Sequence, residues 1–242
     1  MYEKLAEMLK NSKCAVFFGG AGLSTESGIP DFRSSDGLYS ETYGNLRPET
    51  IISHSFFEKQ TETFYRFYRD KMVFPEARPN AAHLALARLE AEGYLSGVIT
   101  QNIDGLHTAA GSERVLELHG SVLRNYCLSC GCFYGIDAVM NSADAVPRCS
   151  CGGVIKPDVV LYGEQLPVDV CAEASALVAE SDLMIVAGTS LTVYPAANYV
   201  RYFDGRLVII NRDPTPYDGK AELVFHESVG DELTKTLSYM DI

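Results

Sequence analysis

Gly19–Arg33 reads GGAGLSTESGIPDFR and follows directly on the apolar run Cys14-Ala15-Val16-Phe17-Phe18. A buried strand that runs into glycines is the local pattern that seats a nucleotide phosphate at a helix start. The dinucleotide fingerprint G-x-G-x-x-G is only partly met: Gly20 and Gly22 fit, whereas Thr25 stands where the third glycine belongs. The stretch closes on Pro30-Asp31-Phe32-Arg33, which no pyrophosphate turn requires. Two roles are open to such a loop: it holds a nucleotide, or it also helps to break one.

Outward from this loop, short β-branched runs alternate with helical patterns. An amphipathic helix opens the chain, MYEKLAEMLKNSK. A helix beginning at Pro79-Asn80 and closed by Gly93 feeds LSGVIT (95–100). Val168–Glu180 reads as a helix before LMIVAG (183–188), and PAANYVRYF (195–203) as a helix before RLVIIN (206–211). This alternation predicts an α/β fold with a parallel sheet covered on both faces. Three strands end in polar, glycine-bearing segments, GGAG, TQNIDG and GTS, so a ligand site is expected beyond their carboxyl ends.

Two stretches break the alternation. Residues 34–78 carry an aromatic helical segment in which Phe57, Phe64, Phe67 and Tyr68 form a stripe, read as a packed face. Residues 121–155 hold five of the seven cysteines. Cys127-x-x-Cys130 and Cys149-x-Cys151, separated by 18 residues, offer four thiolates for a tetrahedral zinc ion. With all four positions filled by protein, the ion is structural; Cys132 is a competing ligand, and reduced cysteines without metal are the bland alternative. Cys14 and Cys171 read as core residues.

The net charge of −12 disfavours a nucleic-acid backbone as the main partner. A zinc ribbon often touches nucleic acid, yet Arg124 and Arg148 are the only basic residues within 121–155. No apolar run approaches the roughly 20 residues that cross a bilayer, and the N-terminus is no signal peptide; a cytoplasmic setting is the expectation.

Gln101, Asn102, Asp104, His107 and His119 fall in one crossover, TQNIDGLHTAAGSERVLELHG (100–120). Amides and a carboxylate at a strand end suit a ribose and a carboxamide, and a histidine near neutral pKa suits proton abstraction from a hydroxyl. His119, after the alternation Val115, Leu116 and Leu118, is expected at a strand end. His107 is expected to cap or pack.

Together, GAGLSTESGIPDFR (20–33), TQNIDGLH (100–107), ELHG (117–120), the four cysteines, KPDVVLYGE (156–164), GTSLTVYPA (188–196) and IIN (209–211) resemble the sirtuins, NAD-dependent protein-lysine deacylases. The resemblance implies a Rossmann-type NAD-binding domain from 1–33, 79–120 and 156–242. It implies a smaller inserted domain built from a helical module, 34–78, and a zinc module, 121–155. It places Gly20, Ala21, Gly22, Thr25, Phe32 and Arg33 against NAD, with Phe32 shielding the reacting ribose. Gln101, Asn102, Ile103 and Asp104 would line the nicotinamide and ribose pocket, Ile103 and Asp104 holding the carboxamide. Gly188, Thr189, Ser190, Asn211 and Asp231 would address the adenosine half.

The implied reaction consumes NAD. The acetyl-lysine oxygen attacks the anomeric carbon as nicotinamide leaves; His119, also a cofactor contact, is general base, and Asn102 orients ribose and water. The products are free lysine and O-acetyl-ADP-ribose. An acetylated-lysine protein would add as an extended strand between Val160–Glu164 and Ser190–Pro195, touching Val160, Gly163, Glu164 and Val193. Relatives that remove acidic acyl groups carry Tyr-x-x-Arg; here Tyr65 is followed by Tyr68, with Arg66 and Arg69 about 100° out of phase, so acetyl is the expected group. Mono-ADP-ribosyl transfer and a silent NAD or acyl-lysine binding module are the alternatives. A dehydrogenase is disfavoured by the broken fingerprint and by the lack of an acidic residue after a second strand.

Overall fold

The computed structural model describes all 242 residues. Nine strands run in chain order: β1 Ala15–Gly19, β2 Val98–Thr100, β3 Val115–Glu117, β4 Gly120–Cys127, β5 Phe133–Gly135, β6 Ile155–Val159, β7 Leu183–Ala187, β8 Arg206–Ile210 and β9 Leu223–Phe225. Six of them form one sheet in the order β3-β2-β1-β7-β8-β9, and every pairing in it is parallel. This is the doubly wound order, in which the chain leaves β1 in one direction and resumes on its other side with β7. The parallel, twice-covered sheet expected from the sequence is therefore present, with β1 and β7 buried along their whole length.

The helices are α1 Tyr2–Asn11, α2 Pro48–Ile51, α3 His54–Lys59, α4 Thr61–Lys71, α5 Ala81–Ala91, α6 Leu106–Ala109, α7 Asp137–Met140, α8 Val168–Glu180, α9 Asn198–Arg201 and α10 Val229–Met240. Alternate residues of β1 point to opposite faces, as the pleat requires. Ala15 and Phe17 join Leu5, Leu86 and Leu233 from α1, α5 and α10 in one core. Val16 and Phe18 join Ala174, Leu177 and Val200 from α8 and α9 in the other. Asn80 starts α5 by accepting from the backbone N–H groups of Ala82 and His83, while His83 Nδ1 accepts from the Asn80 N–H. Those bonds satisfy amides that the first helical turn leaves without partners.

Two expected elements are shorter than their patterns. LSGVIT yields strand only over Val98–Thr100, and PAANYVRYF yields helix only over Asn198–Arg201. The aromatic stripe is split: Phe57 lies on α3 and Phe64, Phe67 and Tyr68 on α4, with Gln60 (φ −136°, ψ 46°) breaking the helix between them. The stripe packs as read, in a third core with Ile51, Val122, Cys127, Cys149 and Ile155.

This third core sits under a three-stranded antiparallel sheet, β5-β4-β6. Arg69 stitches α4 to the cysteine-bearing segment. Its guanidinium donates to the carbonyl oxygens of Val139, Ala145 and Asp144 at 2.9, 3.0 and 3.3 Å. Cys14 and Cys171 are half-buried at the edge of the sheet core rather than inside it. No helix is long and apolar enough to cross a membrane.

Candidate active site

The cleft opens where the sheet order reverses, beyond the carboxyl ends of β1 and β7, the place a doubly wound sheet offers a ligand. The glycines there are demanded by contact between loops. A Cβ on Gly20 would lie 2.7 Å from Thr189 Cβ, and one on Gly22 would lie 2.9 Å from the Gly188 oxygen. Gly188 itself has φ +60°, and a Cβ there would reach 2.3 Å from the Leu23 nitrogen. Gly22 N–H donates to the Gly188 oxygen at 2.8 Å, closing the two loops against each other.

The cleft encloses about 740 Å³, within the range of small-molecule sites. Ala21, Gly22, Thr25, Phe32, Arg33, Gln101, Asn102, Ile103, His119, Gly188, Thr189, Ser190 and Asn211 all line it, as do Val160 and Val193. A second cavity of about 940 Å³ runs on from it and is lined by Val160, Gly163, Glu164 and Val193. His119 borders both.

Three expected cofactor positions lie off this lining. Gly20 sits beneath the loop contact. Asp231 is exposed in the first turn of α10, where its N–H is capped by Ser228; Glu227 and Val229 face the cleft instead. Asp104 stands behind the wall, accepting from the Ser24 hydroxyl at 2.7 Å and from the Leu106 N–H at 2.9 Å.

Ser24, unremarked in the sequence reading, links two of the crossover residues. Its proton goes to Asp104, so its lone pair accepts from Asn102 Nδ2 at 3.1 Å. This fixes the amide, and Asn102 Oδ1 is buried with no protein partner, as is Gln101 Nε2. Buried polar atoms without partners are rare, and here they border a cleft that a polar ligand can fill. The fit with a ribose and carboxamide is good in kind: acceptor, donor and apolar wall together.

His119 follows β3, at the strand end its alternation predicts. Its Nδ1 lies 2.9 Å from the Gln101 carbonyl oxygen. A carbonyl only accepts, so Nδ1 carries the proton and Nε2 keeps its lone pair. Burial lowers its pKa below the ordinary histidine value, the Gln101 bond opposing in part. The segment is braced by Arg124, which pairs with Glu117 at 2.6 Å and Asp158 at 2.8 Å. That pairing also removes Arg124 as a free charge for nucleic acid.

His107 packs rather than caps. It is 2% exposed and lies 4.8 Å, ring centre to ring centre, from the fully buried His83.

The Sγ atoms of Cys127, Cys130, Cys149 and Cys151 all lie within 4.8 Å of one another. Zinc–sulfur bonds of about 2.3 Å put tetrahedral sulfurs about 3.8 Å apart; here the pairs 127–151 and 130–149 are at 3.5 Å. The set fits a structural zinc ion, and Cys132 is not part of it. The Tyr134 hydroxyl donates to Cys149 Sγ at 3.0 Å, a supporting contact of the kind that orients metal ligands.

The doubly wound sheet carries a cysteine-tetrad lobe and places a half-buried histidine on the border of two joined cavities. The Sir2 family model matches residues 20–195, and the chain belongs to that family. It is 53% identical over 231 residues to an NAD-dependent protein deacetylase of Clostridium tetani, covering 94% of each chain. It is 52% identical over 238 residues to one from Clostridium perfringens, covering 97% of each. Among solved structures it resembles Sir2 with a p53 peptide and NAD+ (TM-score 0.87, 40% identity, 98% of each chain). It also resembles Sir2 bound to acetylated peptide (TM-score 0.87, 39% identity, 98% of each).

Proposed function

We propose that this chain is an NAD-dependent protein-lysine deacetylase acting on acetylated-lysine proteins, consuming NAD and releasing nicotinamide and O-acetyl-ADP-ribose. The observation that carries the reading is the position of His119 at the junction of the two cavities. One is suited to a dinucleotide and the other to an extended peptide, and they share Val160, Leu161, Tyr162 and Val193.

NAD supplies an electrophilic anomeric carbon and a leaving nicotinamide. The protein's part is to bring the acyl oxygen and that carbon into contact, because a weak amide nucleophile needs high effective molarity. Ala21, Gly22, Thr25, Thr189, Ser190 and Asn211 hold the dinucleotide. Phe32, Arg33 and Ile103 close over its reacting end. Asn102, oriented by Ser24, presents Oδ1 as an acceptor to a ribose hydroxyl or water. His119 Nε2, neutral because its pKa is lowered, takes a proton from a ribose hydroxyl. Val160, Gly163, Glu164 and Val193 line the peptide's path.

The zinc lobe is remote from this chemistry and maintains the shape of the small domain. We assign that domain to 34–78 and 121–155, with β6 joined to it through its sheet. A cytoplasmic setting accords with seven unpaired cysteines.

The test is to incubate the purified protein with NAD and an acetyl-lysine peptide, following nicotinamide and the deacetylated peptide by mass. Equimolar appearance of both supports the reading; neither product appearing rejects it.

A further inference from the structure

The segment after Pro30-Asp31-Phe32-Arg33 folds back on it. Leu38 N–H donates to the Asp31 oxygen at 2.7 Å and Tyr39 N–H to the Phe32 oxygen at 2.9 Å. Asp31 Oδ1 accepts from the N–H groups of Arg33 and Ser34 at 3.0 and 2.8 Å, tightening the bend. The Tyr39 ring then lies 5.4 Å from Phe32 at an interplanar angle of 56°, with the Arg33 guanidinium 5.7 Å from its centre. Phe32, half-buried, thus has Tyr39 as its backing.

Tyr39 is itself tied across the cleft. Its hydroxyl lies 2.9 Å from that of Tyr162, on the segment that borders the peptide cavity. Tyr162 has a fixed backbone: its N–H donates to the Ile52 oxygen at 3.0 Å, and its own oxygen accepts from His54 N–H at 2.9 Å. Both tyrosines line the cofactor cleft. One bond therefore joins the peptide side of the site to the aromatic wall over its reacting end.

We infer that Tyr39 and Tyr162 form a clasp that holds Phe32 in place, which makes Tyr162 a positioning residue for the nicotinamide-releasing step. The inference rests on the deacetylase reading for its catalytic consequence and on geometry alone for the clasp. A loosened Phe32 leaves the reacting ribose open to returning nicotinamide. Loss of either hydroxyl then favours nicotinamide exchange into NAD over peptide deacetylation. The bond is partly exposed, so its effect is modest.

The experiment is a double-mutant cycle on Tyr39→Phe and Tyr162→Phe, in which both rings remain. Its readout is the ratio of labelled-nicotinamide exchange to deacetylation, which does not change when part of a preparation is merely unfolded. Each single variant is expected to raise the ratio about threefold, the scale of one neutral hydrogen bond, with the double variant no higher than either. An unchanged ratio, or a double effect equal to the product of the singles, overturns the clasp. Trypsin cleavage after Arg33 in the free protein gives a second cycle, expected to accelerate equally in all three variants. A wild-type protein that releases no nicotinamide sinks the functional reading instead, and the proteolysis cycle then decides the clasp by itself.

Discussion

His119 Nδ1 donates to the Gln101 carbonyl oxygen at 2.9 Å, which leaves Nε2 as the one basic nitrogen of the ring facing the cleft. Because burial lowers this pKa, the neutral base persists below the pH at which a solvated histidine would be half protonated. The acid limb of kcat/KM is expected below the ordinary value of about 6.5. His119→Ala should lower deacetylation by about 100-fold or more, the usual span for a general base, with the melting temperature little changed. An acid limb above the ordinary histidine value, or an active alanine variant, contradicts the assignment.

Metal removal has consequences beyond the cysteines. Cys127 and Cys149 share a core with Phe57, Tyr65 and Tyr68 of the helical segment. Chelation, or Cys149→Ser, is expected to strip about one zinc per chain and to loosen both parts together. Metal analysis beside near-ultraviolet circular dichroism of the tyrosines checks this. A metal-free protein with unchanged tyrosine signals counts against structural zinc.

Acyl choice follows from the fate of α4. Arg69 is spent on three carbonyl oxygens, Arg66 pairs with Glu62 on the exposed face, and Tyr65 donates to the Ile155 oxygen. Lys71, the third cation of this helix, is exposed beside Asp70 at 3.9 Å, and none of the three lines either cavity. Succinyl-lysine peptides are expected to react at least about tenfold more slowly than acetyl ones, since a buried unpaired charge costs several kcal/mol. Comparable kcat/KM values for the two contradict this.

Acid lability comes from a different pair. Burial pushes the His107 pKa down to about 3 and lowers that of His83, which Asp104 and Glu26 partly oppose. Below an ordinary pKa of about 6.5 the unfolded chain binds protons that the folded chain refuses, so stability falls with pH. The slope is about 1.4 kcal/mol per pH unit for each fully excluded histidine. Urea unfolding at pH 7 and pH 5 measures it, and His107→Phe is expected to flatten the slope. An unchanged slope removes His107 as its source.

Much of this architecture was readable in the chain. Asn80 and the apolar spacing after it announced α5, and Val168–Glu180 matched its helix from end to end. LSGVIT and PAANYVRYF overstate their elements because apolar runs do not record where neighbouring strands end. The aromatic stripe was legible as a packed face, but not the break at Gln60. Depth was the quantity least available: Asp104 and Asp231 sit on promising segments, yet one lies behind the wall and the other outside it. Ser24, Tyr39 and Tyr162 are hard to single out in the sequence because a hydroxyl acquires its role only through a partner distant along the chain. Ser24 had one local signal, a serine on the first turn after the glycines.

The interlock of Gly20 and Gly22 with Gly188 has a genetic corollary. The span between the two lips of the crevice is set largely by main chain resting on main chain rather than by the size of the side chains around it. A single added methyl at Gly188 is the severest intrusion of the three. It would wedge both lips apart at once, and no compensating change in side-chain size nearby would restore them.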